Sequence, residues 1–173
     1  MPVPHRTIPY KFNEVASRLS IARNRASAIT TGNRCAMVLG IALNLRPHGT
    51  QESMFGQSFV SDEWRSRPEA RQFFVKAWDL AESVMAAWGP PRRVPGPVAA
   101  QQLAGQHGFV FLEDCWKTPG EKFNRAVFDV DVQTGDHADL WDGQVLAIYP
   151  RRGDSLALLG QARTVWFWPF ATA

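Results

Sequence analysis

A turn gives way to an apolar helical run in the segment Thr31-Gly32-Asn33-Arg34-Cys35-Ala36-Met37-Val38-Leu39. The pattern predicts a helix over about residues 33–44, with Asn33 as its N-cap and Arg46-Pro47-His48-Gly49 as its end. Cys35 then lies in the first helical turn, where unpaired N–H groups and the helix dipole stabilise negative charge. Because the thiolate is the attacking species of a cysteine, this placement indicates a nucleophile.

A histidine lies far downstream, in the segment Gly135-Asp136-His137-Ala138-Asp139-Leu140-Trp141-Asp142-Gly143. The segment reads as a strand running into a turn, so His137 and Asp139 project from the same strand face. An imidazole can serve a thiol as general base, and it needs a third group to fix its tautomer. Asp139 is the expected third group, and Asp154 and Gln144 remain alternatives.

Cys115 and His107 are weaker candidates for the same two roles. Cys115 lies beside Glu113 and Asp114, whose charges disfavour a thiolate, so it is predicted to be structural. His107 lies in a Gly-Gln-His-Gly turn and is only a reserve base. Two cysteines in different contexts form neither a disulfide framework nor a closed zinc site, so no metal or other cofactor is expected.

The composition is that of a folded globular protein. The chain has 173 residues, 45% of them hydrophobic, with seven Trp and eleven Phe, which is most simply one domain over residues 1–173. The net charge of +3 comes without a dense basic stripe, so nucleic-acid binding is not expected. No segment reaches the ~20 apolar residues of a membrane span. The polar, proline-interrupted segment Met1–Tyr10 does not resemble a secretory signal peptide.

The periodicity of apolar residues predicts helices first and antiparallel strands second, which is an α+β pattern. Helices are expected over Tyr10–Arg25, residues 33–44, Pro68–Trp88 and Val98–Leu103. Strands are expected over Gly108–Leu112, Ala126–Val132, the His137 segment, Val145–Tyr149 and Thr164–Trp168. A turn at Arg151–Asp154 separates the last two strands. The long polar stretch Thr50–Arg67 is predicted to be a functional loop.

Three segments resemble the type VI secretion amidase effectors, papain-like relatives of the NlpC-type cell-wall hydrolases. Residues 32–39 are similar to the family's Asn-x-Cys-Ala/Pro-hydrophobic segment, and residues 162–168 to its closing aromatic strand. Residues 135–143 are similar to its Gly-His-x-x-Leu-Trp-Asp/Asn-Gly segment, with Asp136 as an extra residue. The resemblance implies a papain-like fold in which N-terminal helices carry the nucleophile and pack on an antiparallel sheet. It makes Cys35 the nucleophile and His137 the base.

The resemblance also implies what the protein acts on and where. The expected substrate is an amide in peptidoglycan peptides, either the D-Glu–diaminopimelate bond or the diaminopimelate–D-Ala cross-link, as in the fourth or the third amidase family. The expected route runs from the cytoplasm through the type VI secretion machinery into the periplasm of a recipient cell. A small periplasmic immunity protein would plug the cleft over Cys35. In one place the sequence departs from the fourth family, because the acid expected beyond the histidine falls on Ile148.

Two other functions fit the same residues. A non-catalytic interaction protein would use tryptophans as a binding surface, namely Trp64, Trp116, Trp141, Trp166 and Trp168. A Cys–His acyltransferase would use the same pair to transfer an acyl group onto another protein.

Overall fold

The computed structural model of the chain describes residues 7–29, 34–47, 73–74, 76–116 and 135–172. The helices in these ranges are α1 (Phe12–Ile29), α2 (Cys35–Ala42), α3 (Ala77–Trp88), α4 (Gly96–Gln102) and α5 (Arg152–Gln161). The strands are β1 (Ile8–Lys11), β2 (Arg92–Pro95), β3 (Gly108–Trp116), β4 (Gly135–Trp141) and β5 (Thr164–Ala171). The α+β class expected from the sequence is confirmed. Every helix in these ranges is too short or too polar to pass through a membrane.

The described strands form one sheet in the order β1-β5-β3-β4, and β2 also pairs with β5. β3 is antiparallel to both β4 and β5, and β2 is antiparallel to β5. β1 runs parallel to β5, so the sheet is antiparallel at its centre and mixed at one side. Among the described strands, β4 is therefore an edge strand, and it carries His137.

Both faces of the sheet are buried, because side chains alternate between the two faces along each strand. The face against α1, α2 and α3 carries Phe109, Phe111, Ala138, Leu140, Trp166 and Trp168. The face against α4 and α5 carries Val110, Leu112, Trp141, Val165 and Phe167. Most of the tryptophans proposed as a binding surface therefore lie in the core, and Trp64 lies outside the described residues.

Two buried indoles tie the sheet to helix ends. The indole N–H of Trp168 donates to the carbonyl of Gly89, which ends α3, at 2.8 Å. The indole N–H of Trp141 donates to the carbonyl of Leu103, which ends α4, also at 2.8 Å. A buried N–H without a partner would be costly, and helix-end carbonyls lack intrahelical donors, so each bond satisfies both groups.

Helix α2 is embedded in the molecule, and this determines where Cys35 lies. All of its residues except Ile41 are buried. Gly40 allows the close approach of a neighbouring ring, since a Cβ at this position would lie 2.6 Å from Cδ2 of Phe74. A helix packed on nearly all sides has little freedom to shift, so the residue at its start is held in one place.

The structure corrects the boundaries of three predicted helices. Strand β1 occupies Ile8–Lys11, and α1 follows at Phe12 rather than Tyr10 and continues to Ile29. Helix α2 begins at Cys35, two residues later than predicted, and its N-cap is Arg34, which makes no side-chain capping bond. Helix α3 begins at Ala77 rather than Pro68. Asn33, Pro68, the loop Thr50–Arg67 and the strand Ala126–Val132 lie outside the described residues.

The largest error concerns the segment between β4 and β5. Val145–Tyr149 is not a strand, and only Leu146 forms an isolated bridge, to Trp141. The predicted turn at Arg151–Asp154 is instead the start of α5. Buried Ser155 of α5 holds the segment in place, because its hydroxyl accepts from the N–H of Leu146 and donates to the carbonyl of Tyr149.

Candidate active site

Three side chains predicted from the sequence meet beside the edge strand. Cys35 is the first residue of α2, and His137 and Asp139 lie on β4. Cys35 is 7% exposed, whereas His137 and Asp139 are fully buried. The structure thus brings together a thiol, an imidazole and a carboxylate, which are the three groups that the sequence predicted for the site.

The carboxylate of Asp139 is fixed in one orientation by the backbone. Its Oδ1 accepts hydrogen bonds from the N–H groups of Leu140 at 2.7 Å and Ile148 at 2.9 Å. Its Oδ2 lies 3.2 Å from Nε2 of His137 and accepts a longer bond, also 3.2 Å, from the N–H of Ile148. Oδ1 thus takes the two shorter backbone bonds, and Oδ2 contacts the imidazole. Asp139 can therefore hold the ring by its Nε2 side.

Nδ1 of His137 is the ring nitrogen left for the thiol. It is buried, and no nitrogen or oxygen of the described residues bonds to it. Burial by itself lowers the pKa of His137, but the charge of Cys35 and the hydrogen bonds to Asp139 and Cys35 outweigh it and raise the pKa to about 9. The raised pKa favours an imidazolium at neutral pH.

Two aromatic rings hold the imidazole from its sides. The ring centroid of His137 lies 5.3 Å from that of Trp116 and 5.1 Å from that of Tyr149. Trp116 can lie across β4 only because residue 135 is glycine, since a Cβ there would meet the indole at 1.6 Å. Neither ring contact was predicted from the sequence, although Gly135, two residues before the histidine, leaves the room that the indole needs.

The segment after β4 supplies the donor that fixes Asp139. Ala147 donates its N–H to the carbonyl of Leu140 at 2.9 Å, which aligns the next residue, Ile148, with the carboxylate. At the position where the resemblance leads one to expect an acid, the chain thus contributes a backbone N–H rather than a side chain. Because the N–H of Ile148 bonds to Asp139, it does not pair with a neighbouring strand. This explains in part why Val145–Tyr149 is not a regular strand.

The alternative residues lie elsewhere. Asp154 and Gln144 are exposed, and no described hydrogen bond joins either of them to His137. His107 is exposed and its ring packs on that of Phe12, at 4.9 Å between centroids. Cys115 is fully buried, and burial, more than the charge of Asp136, raises the pKa of its thiol. Cys115 therefore has the environment of a structural cysteine, as predicted, although burial rather than its acidic neighbours is the main cause.

A cavity of about 350 Å³ opens onto Cys35 and His137. Its other lining residues are Arg23 and Ser27 of α1, Arg34 and Val38 around the start of α2, and Ile148 and Tyr149. Within the described part of the chain, no three His, Cys, Asp or Glu side chains are grouped as metal ligands. A carbonyl compound that enters this cavity would meet a thiol and an imidazole.

Comparison with known proteins places the chain in a family. Residues 31–168 match the family model of type VI secretion system (T6SS) amidase effector protein 4, Tae4, and no curated protein matches. The solved structure of Tae4 from Enterobacter cloacae with its immunity protein Tai4 is 14% identical and has a TM-score of 0.54, over 92% of this chain and 98% of that one.

The Tae4–Tai4 complex from Salmonella Typhimurium is 15% identical with the same TM-score of 0.54, over 97% of this chain and all of that one. Identity this low shows a shared fold. The family model, in contrast, spans most of the chain. The sequence left the third and the fourth amidase family open, and the model selects the fourth. The chain belongs to the Tae4 family of type VI secretion effectors and is a peptidoglycan amidase.

Proposed function

We propose that this amidase uses Cys35 as its nucleophile, His137 as general base and acid, and Asp139 as the residue that orients His137. The observation that carries the proposal is that Asp139 contacts only one nitrogen of the buried imidazole, while Cys35 acts on the same ring. Nε2 contacts the fixed carboxylate of Asp139, which leaves Nδ1 for the thiol. A base held by a third group and directed at a nucleophile is the arrangement that covalent amide hydrolysis requires.

The reaction would proceed through a thioester. The Cys35 thiolate attacks the amide carbonyl, and the tetrahedral oxyanion forms near the start of α2. The first intrahelical bond runs from the N–H of Val38 to the carbonyl of Arg34 at 2.8 Å, so the N–H groups of the first turn are not used by the helix. The N–H of Cys35 would stabilise the oxyanion. His137 then protonates the leaving amine and later activates the water that hydrolyses the thioester.

Hydrolysis should be visible in the products of peptidoglycan digestion. Mass spectrometry of the muropeptides should show fragments that together gain one water per cleaved bond, with a new amine and a new carboxylate. The masses decide between the D-Glu–diaminopimelate bond and the diaminopimelate–D-Ala cross-link. Unchanged muropeptides, or an acyl group found on a protein instead, would contradict the proposal and favour acyl transfer.

Asp139→Asn should reduce hydrolysis by about 10²- to 10³-fold while the protein stays folded. The N–H groups of Leu140 and Ile148 would select the amide oxygen, so the amide nitrogen would face Nε2 of His137. Nε2 must then accept, and the ring proton moves to Nδ1, where it blocks proton transfer from the thiol. The measurement is the rate of peptide hydrolysis together with thermal unfolding.

Asp154→Asn is the matched control for this substitution, because Asp154 is exposed in the first turn of α5. It should keep wild-type activity. A fully active Asp139→Asn enzyme would remove Asp139 from the proposed site, and an inactive Asp154→Asn enzyme would transfer the role to that residue.

We also propose that the protein acts in the periplasm of a recipient cell, where peptidoglycan lies, and that an immunity protein covers the cavity over Cys35. Solved complexes of related Tae4 effectors contain the immunity protein Tai4. A cavity lined by the proposed nucleophile is a surface that such a protein can block. The tryptophan-surface alternative has less support, because Trp141, Trp166 and Trp168 are buried.

A further inference from the structure

Two arginines line the cavity beside Cys35, and the mechanism above does not use them. Arg34 directly precedes the cysteine, and Arg23 comes from α1. The guanidinium of Arg34 donates to the hydroxyl of Ser27, and that of Arg23 donates to the carbonyl of Ala147 at 2.8 Å. Each guanidinium has five N–H donors, so these bonds position the two groups and leave further donors for a ligand.

Both arginines contribute positive charge to the same cavity. Arg23 and Ser27 are four residues apart on α1, so their Cβ atoms lie about 5–6 Å apart on one helix face. Arg34 bonds to Ser27 and Arg23 to the carbonyl of Ala147, so both side chains are held at this cavity. Two positive charges in one cavity favour an anionic ligand.

Within the described residues, no acidic side chain lines this cavity. The carboxylate of Asp139 is buried and is bonded to His137 and to backbone N–H groups. Elsewhere on the molecule an exposed arginine is paired with acids, since Arg163 bridges to both Glu113 and Asp114. The described lining of the cavity is therefore positively charged directly beside the proposed nucleophile.

We propose that Arg23 and Arg34 bind a free carboxylate of the stem peptide next to the scissile amide, and that they select substrates that carry it. The inference rests on the proposed function, because it places the carboxylate relative to Cys35. Stem peptides offer two sources: D-Glu joined through its side chain keeps a free α-carboxylate, and diaminopimelate keeps a carboxylate of its own. A planar guanidinium matches a carboxylate through two parallel hydrogen bonds.

The test compares three synthetic stem peptides with the folded enzyme. One has both carboxylates free, one has the D-Glu α-carboxylate converted to its amide, and one has the diaminopimelate carboxylate converted to its amide. Wild-type KM should rise about 10- to 100-fold for one of the two amidated peptides, which identifies the bound carboxylate, because charged hydrogen bonds are lost. Arg34→Gln and Arg23→Gln should raise KM by a similar factor for the free peptide, with kcat largely kept.

The variants should raise KM no further for the peptide that already lacks the bound carboxylate. Arg18→Gln is the matched control, because Arg18 also lies on α1 and also donates to a backbone carbonyl, that of Ala42, but does not line the cavity. It should leave all three KM values unchanged. Arg34→Lys should restore part of the affinity, since lysine keeps the charge without the planar fork.

Equal wild-type kcat/KM for all three peptides would overturn the inference without any variant. If Arg23→Gln loses the same factor in kcat/KM on all three peptides, the inference is overturned for Arg23. The residue would then have a structural role through its bond to Ala147. If Arg23→Gln does not fold, Arg34→Gln alone provides the test, because the described side-chain hydrogen bond of Arg34 joins it only to Ser27. None of these outcomes depends on which residue is the nucleophile, so a failed inference is distinguishable from a failed Cys35 mechanism.

Discussion

Cys35→Ala should reduce peptidoglycan hydrolysis by at least ~10³-fold, the scale of loss when a nucleophile is removed from a catalytic unit. The substitution removes one sulfur atom from the first residue of α2, which is 7% exposed, so the fold should be kept. Muropeptide analysis measures the activity, and thermal unfolding checks the fold. Wild-type activity in Cys35→Ala would refute the proposed mechanism.

Cys115→Ala is the matched control, because neither cysteine forms a disulfide and both are buried. It should lower thermal stability somewhat through a small cavity and leave the activity unchanged. The same pair of variants tests the proposed compartment. The wild type and Cys115→Ala should lyse a Gram-negative cell when directed to its periplasm, whereas Cys35→Ala should not, and a cognate immunity protein should prevent lysis. Equal toxicity of the wild type in the cytoplasm would indicate a different target.

His137→Ala should cause a loss as large as that of Cys35→Ala, and the double variant should be no worse than either. The reason is that the thiol and the imidazole act as one unit, so the second substitution has nothing further to remove. The two groups are also coupled electrostatically, since the charge of Cys35 is the largest of the causes that raise the pKa of His137. The measurement is kcat/KM on a single stem peptide for the wild type and all three variants.

His107→Ala is the control for the second prediction, because His107 is exposed and packs on Phe12 away from Cys35. It should retain full activity. Additive losses in the double variant would show that Cys35 and His137 act independently, and an inactive His107→Ala enzyme would move the general base to that residue.

Local pattern sufficed to predict the elements that carry the candidate site. The turn before Cys35 and the apolar run after it predict a helix start, and alternation around His137 predicts a strand, because both signals depend on residues within a few positions. The same holds for the short helix α4 and for β5. The helix boundaries shifted by several residues because capping depends on backbone geometry that residue type indicates only weakly, as Arg34 shows at the start of α2.

The segment between β4 and β5 could not be predicted in this way. Val145–Tyr149 is a short apolar run typical of a strand, yet the N–H groups of Leu146 and Ile148 bond to Ser155 and Asp139, which lie outside the segment. Long-range hydrogen bonds of this kind override local propensity. The parallel pairing of β1 with β5 also depends on long-range hydrogen bonds, since it joins the two ends of the described chain.

The sequence by itself determined the chemical types at the site: a thiol at a helix start, an imidazole on a strand and an acid two residues later. Only the tertiary structure decided which acid contacts the imidazole, because backbone donors from residues 140 and 148 must converge on Asp139 to turn its second oxygen toward His137. It also decided that Arg23 joins Arg34 beside the nucleophile. Those contacts depend on how α1 and the segment after β4 pack together, and residues so far apart in sequence meet only when the chain folds.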